Sequence, residues 1–398
     1  MPQTPLKIPV ERVLGRVRGP NPGPTLICVG GIHGNEPAGV LALRHVLESL
    51  DARQERISGE FVALTGNRTA LAEKRRFVDR DLNRAWTSAR LAKLRNGGSD
   101  GVAVEDTEQT ELLAILDQVT NDARGPVYFV DLHTTSGHGG TFSTFGDSLP
   151  NRAFAQAIPF PMVLGLEELL PGTLLGFLGE HGLVSIGVET GQHDEAQAVD
   201  RARAVIWIAI RASGLLPAGD VPEAEAAHRM LRDEADGLPR ALEMLHKYDM
   251  VPGCDFEMLQ GYENFQVVRK DEVVAHDRDG EVTISEDGRL LMPLYQEQGD
   301  DGYFLVREFS PFWLRISYWL RRMRADRIAP LLPGVRRDPS DEDLLIVDKR
   351  VARWYSLQLF HLLGYRGDRA AGEQLVVRRR RFDEVRFMSR GPTPEQLK

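Results

Sequence analysis

The chain has 398 residues, more than one hydrophobic core usually serves, so two domains with room for an appendage are expected. A 42% hydrophobic content without low-complexity tracts excludes a disordered or fibrous protein, and a formal charge of −9 gives no general attraction for nucleic acid. Its two cysteines, Cys28 and Cys254, are too few for a disulfide framework or a Cys-rich metal site, so any metal must be held by histidines and carboxylates.

Taken in chain order, the opening MPQTPLKIPVERVLGRVRG lacks the apolar stretch of a signal peptide. No run approaches the roughly 18 apolar residues of a membrane span, so a cytoplasmic protein is expected. From Pro24 to about Leu215, short apolar runs alternate with helical patterns. TLICVGG reads as a strand, and PAGVLALRHVLESL as the helix after it, with Val40, Leu43, Val46 and Leu47 at helical spacing. GEFVALTGN is a second strand, EDTEQTELLAILDQVT a helix, GPVYFVDLH a third strand, VSIGVETG a fourth and AVDRARAVIWIAIRASG a closing helix. The alternation predicts an α/β domain over 1–216, with a mostly parallel or mixed central sheet flanked by helices.

PAGDVPEAEAA fits an interdomain linker, and with the helical pattern after it fills 217–240, the helix running on to about Tyr248. A β-rich capping module is expected over 241–308, with tight turns at HDRDGE and SEDGR. An Arg-rich extension follows over 309–398. Its FSPFWLRISYWLRRMRADR and VVRRRRFDEVRF stretches fit a surface for anionic partners or lipid head groups. The plainer reading, which we adopt, is a helix and an edge strand packed on the protein with solvated arginines.

The polar residues of interest fall where strands end, the place ligands gather in such sheets. His33 and Glu36 stand three apart in the loop after LICVGG, and His133 follows YFVD. Zinc in hydrolytic sites takes three protein ligands and leaves a position open, and two His with one Glu is an established set, which His33, Glu36 and His133 satisfy. Ligating imidazoles usually donate their other N–H to a carboxylate, a role open to Asp81 and Asp131 without assignment to either histidine. Glu189 reads equally as the general base for an attacking water or as a strand-end carboxylate paired with an arginine. In RFVDRDLNRAW, an arginine can stabilise an oxyanion and an Asn-Arg pair can grip a substrate carboxylate, while Arg80 reads as solvated.

Together, GGIHGNE, RFVDRDLNR, DLHTTSG and GVETG, in this order, resemble the succinylglutamate desuccinylase/aspartoacylase family, relatives of zinc carboxypeptidases. The stretch from Tyr262 to Phe304 is similar to that family's C-terminal β domain. The resemblance implies one zinc per chain on His33, Glu36 and His133. Glu189 would be the base that then protonates the leaving amine, Arg76 would polarise the scissile carbonyl, and Asn83 and Arg84 would hold the released amino acid's carboxylate. The expected activity is hydrolysis of the amide of an N-acyl amino acid, a small-molecule substrate, with self-association left open. The chain departs from the family's pattern ten residues before Glu189, where aspartoacylases carry an arginine for the side-chain carboxylate of aspartate and this chain has Gly179. Tyr295 and Tyr303 both match loosely the substrate-binding tyrosine of the β domain. The hammerhead-like VVRKDEVVAHDRDGEV lacks the hairpin-tip lysine of a lipoyl or biotin carrier. Rival readings are a metallocarboxypeptidase or peptidoglycan-peptide amidase on the same core, which would need an open groove, and a ligand-binding scaffold, which would not need the whole set of residues.

Overall fold

A computed structural model describes residues 11–95, 103–348, 350, 351, 357–371 and 374–380. Residues 1–10, part of the stretch read above for a signal peptide, and the end of VVRRRRFDEVRF lie outside the described residues.

The chain opens with β1 (Val13–Arg18), β2 (Asn21–Gly30), α1 (Ala38–Asp51) and β3 (Ser58–Thr65). Short helices α2 (Arg68–Glu73) and α3 (Ser88–Arg95) lead to α4 (Val104–Asn121) and β4 (Val127–Thr135). After β5 (Phe142–Thr144), α5 (Leu149–Gln156), β6 (Met162–Leu164), α6 (Leu166–Leu169) and α7 (Leu174–Glu180) come β7 (Val184–Gln192) and α8 (Ala196–Ser213). The strands β3, β2, β4 and β7 lie side by side and parallel, as the buried apolar runs predict. Alternate residues of β2 serve opposite faces: Leu26 and Cys28 pack with α1 and α8, while Ile27 and Val29 pack with α4 and α7. Cys28 is thus a small core residue.

Helix α9 (Pro222–Glu234) and strand β8 (Ala241–Asp249) correct the reading of 217–248. Most of the expected linker is the helix α9, which buries Ala224, Ala227 and Leu231 against the α8 side of the core. ALEMLHKYD carries good helix formers, yet it is a strand, because its two edges are taken by β6 in parallel and by β14 (Asp301–Glu308) antiparallel. The sheet therefore runs on past the four parallel strands, through β10 (Val267–Val268) and β13 (Gly288–Leu291), as eleven strands in the order β1-β3-β2-β4-β7-β5-β6-β8-β14-β13-β10. A separate three-stranded sheet of β9 (Glu257–Met258), β11 (Val273–Asp277) and β12 (Gly280–Thr283) covers its far end.

The last part forms α10 (Pro311–Arg322), α11 (Leu357–Leu362) and a four-stranded sheet around Phe360, Val347 and Val377. In it, β15 (Val335–Arg337), β16 (Leu344–Asp348), β18 (Gln374–Arg379) and β17 (Tyr365–Ala371) follow one another. The expected edge strand, β18, is internal, paired to β16 and β17. Nor are all its neighbouring arginines solvated. Arg380 is buried against Glu167 and Glu168, and Arg321 is buried against Asp147, because a guanidinium can span two carboxylates with directed bonds. These pairs fasten the extension to the segment around α5 and α6. No helix among the described residues is long and apolar enough to cross a membrane.

Candidate active site

The loop after β2 is glycine-rich because backbone crowds it from two sides. A Cβ on Gly30 would stand 2.6 Å from the backbone of Gly39 and Val40, and one on Gly34 would stand 2.0 Å from that of Ala70. Close seating of α1 and α2 against this loop holds His33 and Glu36 inward. On the neighbouring strand, His133 lies beside Glu189 in the parallel β4–β7 register, and Asp131 is two residues earlier on the same face. A third segment, 76–84, is tied down by the buried Glu105, whose carboxylate accepts from the backbone N–H groups of Val78 (2.7 Å), Asp79 (3.1 Å) and Arg80 (3.3 Å).

These segments bring His33, Glu36 and His133 together, their ligand atoms all within 4.8 Å of one another and all three side chains buried. Both imidazoles aim Nδ1 at Glu36, 2.8 Å from Oε1 for His33 and 2.9 Å from Oε2 for His133. Their Nε2 atoms face outward to other carboxylates, His33 to Asp81 Oδ1 at 3.1 Å and His133 to Asp131 Oδ2 at 2.9 Å. The second approach is off-axis, leaving both Asp131 oxygens without a directed hydrogen bond. The sequence left open which aspartate serves which histidine, and the geometry assigns them. Burial opposes charge on Glu36, yet the two imidazoles hold it well below the usual carboxylate range. Burial likewise disfavours a charged His133, but Asp131 and Glu36 hold its pKa well above the ordinary value. A centre that favours positive charge between two imidazoles and a carboxylate, with a carboxylate behind each ring, is chemically suited to a divalent cation.

Arg76 reaches the same place. Its guanidinium donates to Asp81 Oδ2 at 3.0 and 3.3 Å, and its Nη1 lies 3.7 Å from Glu36 Oε1. Glu189 is partly open to the cleft, but its Oε2 is buried and unpartnered. Burial, with Glu36 and Asp131 nearby, pushes its carboxyl up to about 8 despite His133 and Arg76. Asn83 spends its side-chain oxygen on the N–H of Leu174 at 2.9 Å. Arg84, expected free for a substrate carboxylate, is engaged by Asp301 Oδ2 at 2.8 Å, and Asp301 also accepts from Lys247 at 2.9 Å. Arg80, read from the sequence as solvated, is instead partly buried and lies 3.7 Å from Asp106 in the first turn of α4.

His33, Glu36, Arg76, Asn83, Arg84, His133 and Glu189 all line one cleft of about 980 Å³, counting its mouth. Its lining also includes the apolar side chains of Phe145, Leu166, Leu170, Leu175, Met292 and Leu294. Neither Tyr295 nor Tyr303 lines it; Tyr295 donates to the carbonyl of Leu259, and Tyr303 is buried beside Tyr248. Sequence reasoning missed His193, Asn35 and Gln296. His193 Nδ1 accepts from the hydroxyl of Thr134 at 2.7 Å and its Nε2 donates to Gln296 Oε1 at 2.9 Å, to which Asn35 also donates at 2.8 Å. Burial lowers the pKa of His193, which suits this neutral arrangement. The signal for His193 was its place four residues past Glu189; nothing local marked Gln296, which joins only through the fold. With Gln298 bonded to the backbone of Arg76 and Phe77, the 293–301 segment roofs the cleft.

Residues 22–206 match the family model "Succinylglutamate desuccinylase/Aspartoacylase catalytic domain". A curated relative from Xenopus tropicalis, named N-acyl-aromatic-L-amino acid amidohydrolase (carboxylate-forming), is 30% identical over 196 residues, 46% of this chain and 60% of its own. The chain thus spans somewhat under two thirds of that relative's length. Among solved structures, succinylglutamate desuccinylase/aspartoacylase from Rhodobacter sphaeroides superposes with a TM-score of 0.54 at 19% identity, over 75% of this chain and 88% of that one. Murine aminoacylase 3 does so with a TM-score of 0.51 at 18% identity, over 73% and 96%. Both share the fold.

Proposed function

We propose, for a chain that belongs to the succinylglutamate desuccinylase/aspartoacylase family, the zinc-dependent hydrolysis of the amide bond of an N-acyl amino acid, in the cytoplasm. The observation that carries this reading is the convergence of two imidazole Nδ1 atoms on Glu36 with an unpartnered Glu189 oxygen beside them. One zinc ion held by His33, Glu36 and His133 would supply Lewis acidity toward the acyl oxygen and a water. Asp81 and Asp131 orient the two rings from behind. Glu189 takes a proton from the water as its oxygen attacks the acyl carbon, then gives that proton to the amide nitrogen as the C–N bond breaks. Arg76, fixed by Asp81, donates to the acyl oxygen as it gains charge. The products are a carboxylate and a free amino acid, whose α-carboxylate Asn83 and Arg84 hold once Asp301 yields its partner.

The apolar side chains of the lining support an apolar acyl group or side chain over a second carboxylate, and Glu167 and Asp301 at the cleft already hold Arg380 and Arg84 in ion pairs. The relative's printed name, with its aromatic amino acid, agrees. A zinc-supplemented panel of N-acetylphenylalanine, N-acetylaspartate and N-succinylglutamate tests this. The aromatic substrate should be turned over fastest, and Glu189→Gln should keep the metal but lose a factor of about 10²–10⁴ in rate. Cleavage of peptides with none of these amides cleaved would replace the reading by a peptidase.

A further inference from the structure

Helix α10 is amphipathic in the reverse sense. Its inward stripe, Leu314, Ser317 and Arg321, is largely polar and buried, with Ser317 bonded to the carbonyl of Leu362 and Arg321 to Asp147. The opposite stripe, at helical spacing, is Phe312, Ile316, Trp319 and Met323, of which Phe312, Trp319 and Met323 are 59, 60 and 68% exposed. Of ten large hydrophobic side chains that stand exposed among the described residues, seven lie between 312 and 331. A surface helix ordinarily turns such a stripe toward the core.

Charge marks the same surface. Between 311 and 337 stand six exposed arginines, Arg315, Arg322, Arg324, Arg327, Arg336 and Arg337, and the single acid, Asp326, is buried and paired with Arg379. None of the six forms an ion pair among the described residues, whereas Arg12, Arg53, Arg68, Arg84 and Arg201 elsewhere all meet carboxylates. A chain with net charge −9 has thus gathered positive charge, unpaired among the described residues, around the four exposed aromatics Phe312, Trp313, Tyr318 and Trp319. A second copy of the chain is a poor occupant, since packing α10 on α10 would press these arginines together without a carboxylate between them. Phosphate groups suit guanidinium forks, and Trp, Tyr and Phe suit the boundary between head groups and acyl chains.

We propose that the outer face of α10 and the turn after it seat this protein on the surface of an anionic phospholipid bilayer, as a peripheral helix lying in the head-group plane. Flotation of the full chain with vesicles tests it, using phosphatidylcholine alone and phosphatidylcholine mixed with phosphatidylglycerol. The mixed vesicles should carry the protein and shift its tryptophan emission to the blue, while phosphatidylcholine alone should carry far less. The Phe312→Ser/Trp319→Ser variant should lose the binding at unchanged thermal stability, both side chains being exposed. Arg322→Gln/Arg324→Gln should weaken partitioning by about fivefold per arginine removed. Equal binding by these variants and wild type would overturn the proposal. So would inorganic polyphosphate binding as tightly as the mixed vesicles, which would make this a soluble-polyanion site. A wild-type dimer dissociated by Phe312→Ser/Trp319→Ser, without vesicle binding, would make the face a contact between copies and overturn it too.

Discussion

Replacing Asp81 with asparagine should separate the orientation of the proposed metal centre from the residues proposed as its ligands. One oxygen of Asp81 receives His33 Nε2 at 3.1 Å and the N–H of Asn83 at 2.7 Å, and the other receives the Arg76 fork at 3.0 and 3.3 Å. Burial opposes its charge, but His33 and Arg76 hold the carboxyl well below its usual range, so it is ionised at working pH. An amide has one acceptor oxygen. If it serves His33 and Asn83, its NH₂ group faces the guanidinium, and Arg76 loses both bonds while its Nη1 stays 3.7 Å from Glu36. A charge-assisted bond in a site this buried contributes about 1.5–3 kcal/mol, and loss of a carboxylate behind a ligating histidine typically costs about 10–100-fold in metal affinity. Asp81→Asn should therefore bind zinc roughly 10–100 times more weakly and, with zinc saturating, still show a lowered kcat because Arg76 is no longer fixed. Competition against a chromophoric chelator reads the first effect and steady-state rates the second. Unchanged affinity together with unchanged kcat would refute the reasoning, since the aspartate would then neither orient His33 nor position Arg76.

Arg84→Ala should lower kcat/KM by about 30-fold or more on a free-acid substrate and by little on the α-amide, a pattern that steady-state kinetics on both substrates reads directly. Asp147 is buried between Arg152 and Arg321; burial opposes its charge but the two guanidinium groups hold its pKa far below the unfolded value of about 3.9, so its contribution to stability is complete above that pH and fades as the pH falls further. Asp147→Asn should cost about 3–5 kcal/mol near neutrality, and the gap between thermal melts of variant and wild type should begin to narrow only below about pH 4 and keep narrowing as the pH falls further.

The four parallel strands and their helices were legible because each strand is buried on both faces and reads as an unbroken apolar run. The three residues proposed as metal ligands, which the structure brings together, stood out because each lies at or just beyond a strand's carboxyl end in a short motif. Strand β8 was not, since its residues favour helix and only pairing with β6 and β14, distant in sequence, makes them extended. The pairing of Arg84 with Asp301 and the linkage of His193 to Gln296 span more than 100 residues each, and no local pattern encodes such meetings. The same holds for Glu105, whose role depends on three backbone N–H groups of a loop it follows by some 25 residues. Arg-rich composition likewise concealed two opposite fates, with Arg321 and Arg380 buried against carboxylates and Arg322 and Arg324 exposed.

The central claim, that His33, Glu36 and His133 hold the metal on which hydrolysis depends, is tested most directly by elemental analysis of the purified chain beside His133→Ala. Wild type should carry one zinc ion per chain and hydrolyse an N-acyl amino acid, and His133→Ala should lose metal and turnover together while keeping its fold by circular dichroism. Wild type that hydrolyses its substrate without zinc after exhaustive chelation, or a His133→Ala protein that retains both zinc and turnover, would contradict it.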